Sequence, residues 1–193
     1  MKRIVDLFFS ILGLILLLPF FLILSILIKI TSEGPIFFFQ SRVGRNGRIF
    51  KIIKFRTMFI IQRSRSTISI KGDVRVTKVG SFLRKYKLDE LPELINVLFG
   101  HMSLVGPRPD VPGYADKLKG IDRDILKLRP GITGPASLKY IKEEEILAKQ
   151  NNPKEYNDKV IFPDKVRINL DYYNNQSVWS DFKIIFATIF RFY

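Results

Sequence analysis

The 193-residue chain has no cysteine, which excludes disulfides, thiolate nucleophiles and thiolate metal ligands. Its one histidine, His101, rules out a metal centre built on several imidazoles. Acidic residues are scarce: 18 Asp and Glu stand against 32 Lys and Arg, for a net charge of +14. That excess favours anionic partners, whether nucleic acid, anionic lipid headgroups or phosphorylated substrates. There is no internal repeat and no low-complexity tract. No helix-turn-helix, finger or RNA-binding signature supports the nucleic-acid alternative, and the basic residues are scattered. The length suits one domain with a real core and is short for two.

Apolar residues are unevenly distributed. No charge interrupts Leu7 to Ile28, a run long enough for the roughly 20 residues of a bilayer span. It is too long for the apolar core of a secretory signal, and Thr31-Ser32-Glu33-Gly34-Pro35 behind it offers no small-residue cleavage site. Lys2 and Arg3 before it and Lys29 after it would hold both flanks on the cytoplasmic side. Pro19, in the middle, removes a backbone hydrogen bond and crowds the preceding turn. Two outcomes follow, a kinked helix that enters the bilayer and turns back, or an ordinary span with a tolerated proline. Asp6 is costly in lipid unless paired, and Arg3, one turn earlier, is its expected partner.

Beyond Pro35, apolar stretches at 36–39 and 49–53 flank Gly44-Arg45-Asn46-Gly47, the pattern of a tight β-hairpin. Residues 62–72 are polar, without periodicity, and carry Arg63, Arg65 and Lys71; they read as a loop. A short helix is expected over 81–87 with Ser81 as its cap. A second is expected over 89–99 with Asp89 as N-cap, Pro92 in its first turn, and Leu91, Leu94, Ile95 and Leu98 on one face. Segments 106–112 and 129–135 read as proline-stiffened loops, and 142–150 and 164–174 as helices. Near the C-terminus, Trp179, Phe182, Ile185, Phe186, Ile189 and Phe190 recur three and four apart. Such a stripe fits a core helix or a helix lying in a membrane interface.

The stretch 79–110 carries the chemistry. Asp89 and Glu90 stand at an expected helix start, where unpaired N–H groups would keep Asp89 ionised and also favour a bound phosphate. An ionised carboxylate beside a phosphoryl group can serve as nucleophile or as a Mg²⁺ ligand. Three arginines lie nearby in sequence: Arg75, Arg84 five residues before Asp89, and Arg108, held between Pro107 and Pro109. Guanidinium groups bind phosphate through paired hydrogen bonds.

On these residues the sequence resembles the bacterial sugar transferases, the monotopic phosphoglycosyl transferases. The matching blocks are Lys2-Arg3-x-x-Asp6, Gly34-Pro35-Ile36-Phe37, Gln40-x-Arg42-Val43-Gly44 and Lys54-Phe55-Arg56-Thr57-Met58. They continue through Asp73-x-Arg75-x-Thr77-x-x-Gly80, Leu83-Arg84, Leu88-Asp89-Glu90-Leu91-Pro92, Asn96-Val97-Leu98-x-Gly100, Met102 to Pro109 and Pro130 to Gly134. The order and spacing of the blocks, more than any one of them, carry the resemblance. It implies an α+β, mostly α fold: a re-entrant membrane helix over 1–30 kinked at Pro19, then a cytoplasmic catalytic domain over 31–193 with a small β-hairpin and interfacial amphipathic helices. It places the protein at the bacterial cytoplasmic membrane.

The resemblance also implies a two-step transfer of sugar phosphate from a UDP-sugar to polyprenyl phosphate. Asp89 attacks the β-phosphate and releases UMP, and the lipid phosphate then takes the phosphosugar from Asp89. By the same analogy Mg²⁺ binds at Asp89, Glu90 acts as a base or positions the metal, and Arg84, Arg108 and Arg75 hold phosphates. The chain departs from the family pattern at Leu18, where serine usually precedes the proline, and at His101, where aspartate is usual. An inactive scaffold of the same fold is the alternative that these departures favour.

Overall fold

A computed structural model describes residues 1–59 and 75–191. The expected loop at 62–72 lies outside the described residues. Helix α1, Lys2–Thr31, runs unbroken through Pro19. It is followed by a hairpin of β1, Phe37–Val43, and β2, Ile49–Phe55, in antiparallel register from Phe37 opposite Phe55 to Val43 opposite Ile49. Asn46 and Gly47 turn the chain with φ of 58° and 78°, the left-handed region that an Asn-Gly pair tolerates. Alternation along β2 buries Phe50 and Ile52 on one face. With Val97 and Met102 they form one small core, while Phe55 joins Leu24, Ile28 and Leu83 in another.

Helix α2 is Lys78–Lys85, three residues earlier than its expected start. Its cap is Thr77, whose hydroxyl accepts from the Gly80 amide at 2.8 Å, and not Ser81, which lies one turn inside. Gly80 packs directly on the backbone: a Cβ there would lie 2.0 Å from the Thr57 carbonyl oxygen. The expected single helix over 89–99 is two pieces, a 3-10 turn at Leu88–Glu90 and α3, Glu93–Leu98. Pro92 accounts for the break, since α3 proper begins directly behind it. Asp89 therefore caps no helix.

A parallel pair, β3 (Ser103–Val105) just before the first proline-stiffened loop and β4 (Gly131–Thr133) within the second, is joined at Ser103–Gly131 and Val105–Thr133. Three-residue strands are too short to show a period in the sequence. Two 3-10 helices, Ala115–Lys117 and Gly120–Lys127, lie between β3 and β4 in the chain, and the remaining α-helices are α4, Pro135–Lys139; α5, Glu143–Ala148; α6, Pro153–Tyr156; α7, Phe162–Asn175; and α8, Val178–Arg191. A π-turn at Asn157–Ile161 leads into α7. The fold is thus α+β and mostly α, as expected.

Helix α1 is the longest element and is docked along one face only. Asp6, Ser10, Leu24 and Ile28 are buried, while Phe8, Ile15, Leu16, Leu22, Ile26 and Ile30 are exposed. The expected Arg3–Asp6 pair is replaced by tertiary bonds. Asp6 accepts from Ser103 Oγ at 3.1 Å and from the Leu104 amide at 3.0 Å. Arg3 donates to the Val97 and Leu98 carbonyls at 2.7 and 3.1 Å, closing the C-terminus of α3. Lys2 donates to the Val105 carbonyl, to Tyr172 and to Asp181. At the other end of α1, Arg56 donates to the Ser32 and Glu33 carbonyls. Both ends of α1 are thereby fastened to the same globular body.

Helix α8 divides the C-terminal stripe. Ile184 and Ile185 pack on the cluster of Val105, Leu128 and Tyr172, whereas Trp179, Phe186 and Phe190 are 71%, 63% and 60% exposed. The aromatic part of the stripe is therefore not core. Phe182 meets Phe9 of α1 edge-on, with ring centres 5.9 Å apart, so the exposed apolar faces of the two helices adjoin.

Candidate active site

The site is assembled from β2, the 3-10 turn, the start of α3 and the Pro107–Pro109 loop. Lys87 enters the turn with φ of 54°, a left-handed conformation that strains a non-glycine residue. This sharp entry carries Asp89 and Glu90 inward, each 8% exposed. Lys54 of β2 donates to Glu90 Oε1 at 2.8 Å and lies 3.3 Å from Glu93 Oε1. Arg108 grips Glu90 with both terminal nitrogens, one donating to Oε1 and the other to Oε2 at 3.3 Å. Arg84 on α2 donates from Nε to Thr57 Oγ1 at 2.8 Å.

The three carboxyls respond differently to burial. Burial alone would raise Glu90, but the charges of Arg108 and Lys54 outweigh it and hold the group well below the usual carboxylate range. Arg108 is raised in return, chiefly by Glu90. Burial, then the neighbouring Glu90 charge, pushes Glu93 up to about 7. Asp89 is also raised, first by burial and then by Glu90, with Lys54, Lys87 and Arg84 only partly opposing. The expectation that Asp89 stands at a helix N-terminus is therefore corrected. No helix starts there, and desolvation dominates.

One oxygen of Asp89, Oδ1, is buried and has no hydrogen-bond partner. A buried carboxylate oxygen without a donor suits a hard cation. Glu90 is engaged by Lys54 and Arg108, and among the described residues no group of three or more acidic or histidine side chains could cage a metal. The donor set fits Mg²⁺, which characteristically takes one or two carboxylates and completes its shell with substrate phosphates and water.

Beside these charges opens a cleft of about 1820 Å³. Arg84, Lys87, Glu90 and Arg108 contribute to its wall, and so do Phe9, Phe182, Ile185 and Ile189. One cavity thus has both a cationic and an apolar lining. Asp89 is not itself among the residues that line the cleft, but Lys87 and Glu90, on either side of it in the chain, are. Arg75 is not among the described residues lining the cleft; its carbonyl accepts from the Phe59 amide at 2.8 Å. His101 is exposed and stacks on Phe50, with ring centres 5.8 Å apart.

Sequence reasoning assigned no role to Lys54 or Glu93. Glu93 follows Asp89 by four residues and Glu90 by three, a spacing that places acidic groups on one helical face and could have flagged it. Nothing short of the fold brings Lys54, 36 residues before Glu90 in sequence, to that face.

The sequence pattern of the bacterial sugar transferases matches residues 1–193, and the chain belongs to that family. It is 40% identical over 195 residues to a UDP-glucose:undecaprenyl-phosphate glucose-1-phosphate transferase of Klebsiella pneumoniae, covering 98% of this chain and 39% of the relative. It is 36% identical to a UDP-N-acetylgalactosamine-undecaprenyl-phosphate N-acetylgalactosaminephosphotransferase of Aeromonas hydrophila, covering 97% and 42%. With the exopolysaccharide production protein PSS of Rhizobium leguminosarum bv. phaseoli it shares 35% identity, covering 98% and 93%. The chain spans about two fifths of the length of the Klebsiella and Aeromonas relatives.

Proposed function

We propose that this protein transfers a sugar 1-phosphate from a UDP-sugar to undecaprenyl phosphate, releasing UMP, as a membrane step of surface-polysaccharide assembly. The observation that carries this reading is the cleft, which joins Arg84, Lys87 and Arg108 to apolar side chains of two helices with exposed apolar faces. A water-soluble diphosphate and a lipid phosphate need such a composite site. The activities in the names of the Klebsiella and Aeromonas relatives support the same reading.

In the first step an Asp89 carboxylate oxygen bonds to the β-phosphorus. The bond from that phosphorus to the bridging oxygen breaks, and UMP leaves with the electron pair. In the second, an oxygen of the lipid phosphate bonds to the same phosphorus and the Asp89 oxygen departs, restoring the carboxylate. Covalent catalysis divides one transfer between immiscible substrates into two displacements. Arg84, Lys87 and Arg108 hold phosphate oxygens. Arg75 is proposed as a more distant phosphate contact. Glu90, held anionic by two cations, fixes Arg108 and Lys54 in place and is poorly suited to accept a proton. Mg²⁺ would sit at Asp89 and supply charge neutralisation for the diphosphate.

The helix α1 is proposed to be re-entrant, with the catalytic domain on the cytoplasmic face of the bacterial inner membrane. Its two ends dock on one body, and its outer face exposes large apolar side chains. It is long and apolar enough to cross a bilayer, but a crossing would separate ends that here share one domain. The test of function is UMP release from a panel of UDP-sugars with undecaprenyl phosphate and Mg²⁺. Release with at least one donor, abolished in Asp89→Asn, is expected; equal release by Asp89→Asn would refute it.

A further inference from the structure

The cleft extends well beyond the charges around Glu90, and its far wall is built from α4 and α7. The two helices are fastened at one seam. Lys139 and Tyr140 both donate to Asp164, at 2.6 and 2.7 Å, and the Lys165 ammonium lies 5.7 Å from the centre of the Tyr140 ring. Lys165 also donates to both oxygens of Glu143, at 2.7 and 2.6 Å. One turn from this seam, each helix presents a polar group that has no partner. Ser137, three residues before Tyr140, has its Oγ buried and unbonded, and Asn169, four residues after Lys165, has its Oδ1 buried and unbonded. Asn169 is 6% exposed. Both residues line the cleft, together with Tyr140 and Phe162.

Buried polar groups are almost always bonded, and two exceptions on the wall of one cavity need a reason. The amide oxygen of Asn169 only accepts, so it calls for a donor and gives nothing to a phosphate oxygen. The Ser137 hydroxyl can donate or accept. A ring that carries neighbouring hydroxyls satisfies both groups, and the Tyr140 and Phe162 rings suit the C–H faces of such a ring. The paired Lys165 and Glu143 leave this part of the wall without a strong net charge.

We propose that Asn169 and Ser137 form a subsite for a neutral, hydroxyl-bearing ring of the donor. The inference rests on the nucleotide-sugar reading above. That chemistry has two sources in such a donor, the hexosyl group and the ribose, and binding measurements separate them. The affinities of UDP and of UDP-glucose and UDP-galactose would be measured by calorimetry on detergent-solubilised wild type, Asn169→Leu and Ser137→Ala, without lipid acceptor.

The subsite predicts a roughly tenfold weaker donor in each variant, from the loss of one hydrogen bond. It also predicts unchanged or higher thermal stability for Asn169→Leu, because an unsatisfied buried amide is removed. Weakening confined to the UDP-sugars assigns the subsite to the hexose, and equal weakening for UDP assigns it to the ribose. Unchanged affinity for all three ligands in both variants, or a wild type that binds none of them, overturns the proposal. A wild type that binds donor with this pattern yet releases no UMP would leave the subsite standing and remove the transferase reading.

Discussion

Glu93 offers the sharpest physical test of the charge array. It is 1% exposed, lies 3.3 Å from Lys54, and has one oxygen without a hydrogen bond. Burial and the Glu90 charge raise it from 4.5 to about 7. Below pH 4.5 the carboxyl is neutral in both the folded and the unfolded chain, so it contributes no pH dependence. Between pH 4.5 and 7 the unfolded chain gives up the proton while the folded protein keeps it, so stability falls as pH rises. The gap of roughly 2.5 pH units corresponds to about 3 kcal/mol lost by pH 8.

Glu93→Gln keeps the shape and carries no such dependence. The variant should match wild type below pH 4.5 and exceed it at pH 8 by up to about 3 kcal/mol, or roughly 6–12 °C in melting temperature. Lys54 keeps Glu90 as a partner, so the loss of its second carboxylate offsets only part of the gain. Melting curves in detergent from pH 4 to 8 would read the difference directly. A variant less stable than wild type by a margin that grows with pH would refute the reasoning, because Glu93 would then be an ionised, stabilising partner of Lys54.

Three further outcomes are expected. Gly80→Ala, whose new methyl would lie 2.0 Å from the Thr57 carbonyl, should destabilise the fold by about 2 kcal/mol or more and disturb the Arg84–Thr57 bond, seen as a lower melting temperature. Asp6→Ala leaves the Ser103 hydroxyl and Leu104 amide without their acceptor and should cost about 2–3 kcal/mol, read in the same assay. Because the chain has no cysteine, single cysteines at Met1 and Glu33 report topology cleanly. Both should resist an impermeant thiol reagent applied outside intact cells, and reaction at one end alone would mean a crossing helix.

Long-period features were legible in the sequence. The apolar run became α1, the Asn46-Gly47 turn became the hairpin, and the three-and-four spacing near the C-terminus became α8. Sequence position also drew attention to Asp89, Glu90, Arg84 and Arg108. What the sequence concealed depends on short-range competition or long-range contact. Thr77 and Ser81 are equally good caps by residue type, and only the packing of Gly80 against Thr57 decides between them. Asp6 had a plausible local partner in Arg3, but an amide and a hydroxyl about 100 residues away satisfy it instead. The lysine that helps to hold Glu90 comes from a strand, and the unpartnered amide of Asn169 is visible only once α7 is packed.

The most direct test of the transfer chemistry is to incubate the protein with UDP-sugar labelled in the β-phosphate, without lipid acceptor, and to map the label by mass spectrometry after proteolysis. One phosphosugar on the peptide that carries Asp89, discharged on adding undecaprenyl phosphate, is the predicted result. Product formed at full rate with no label at that residue would contradict it.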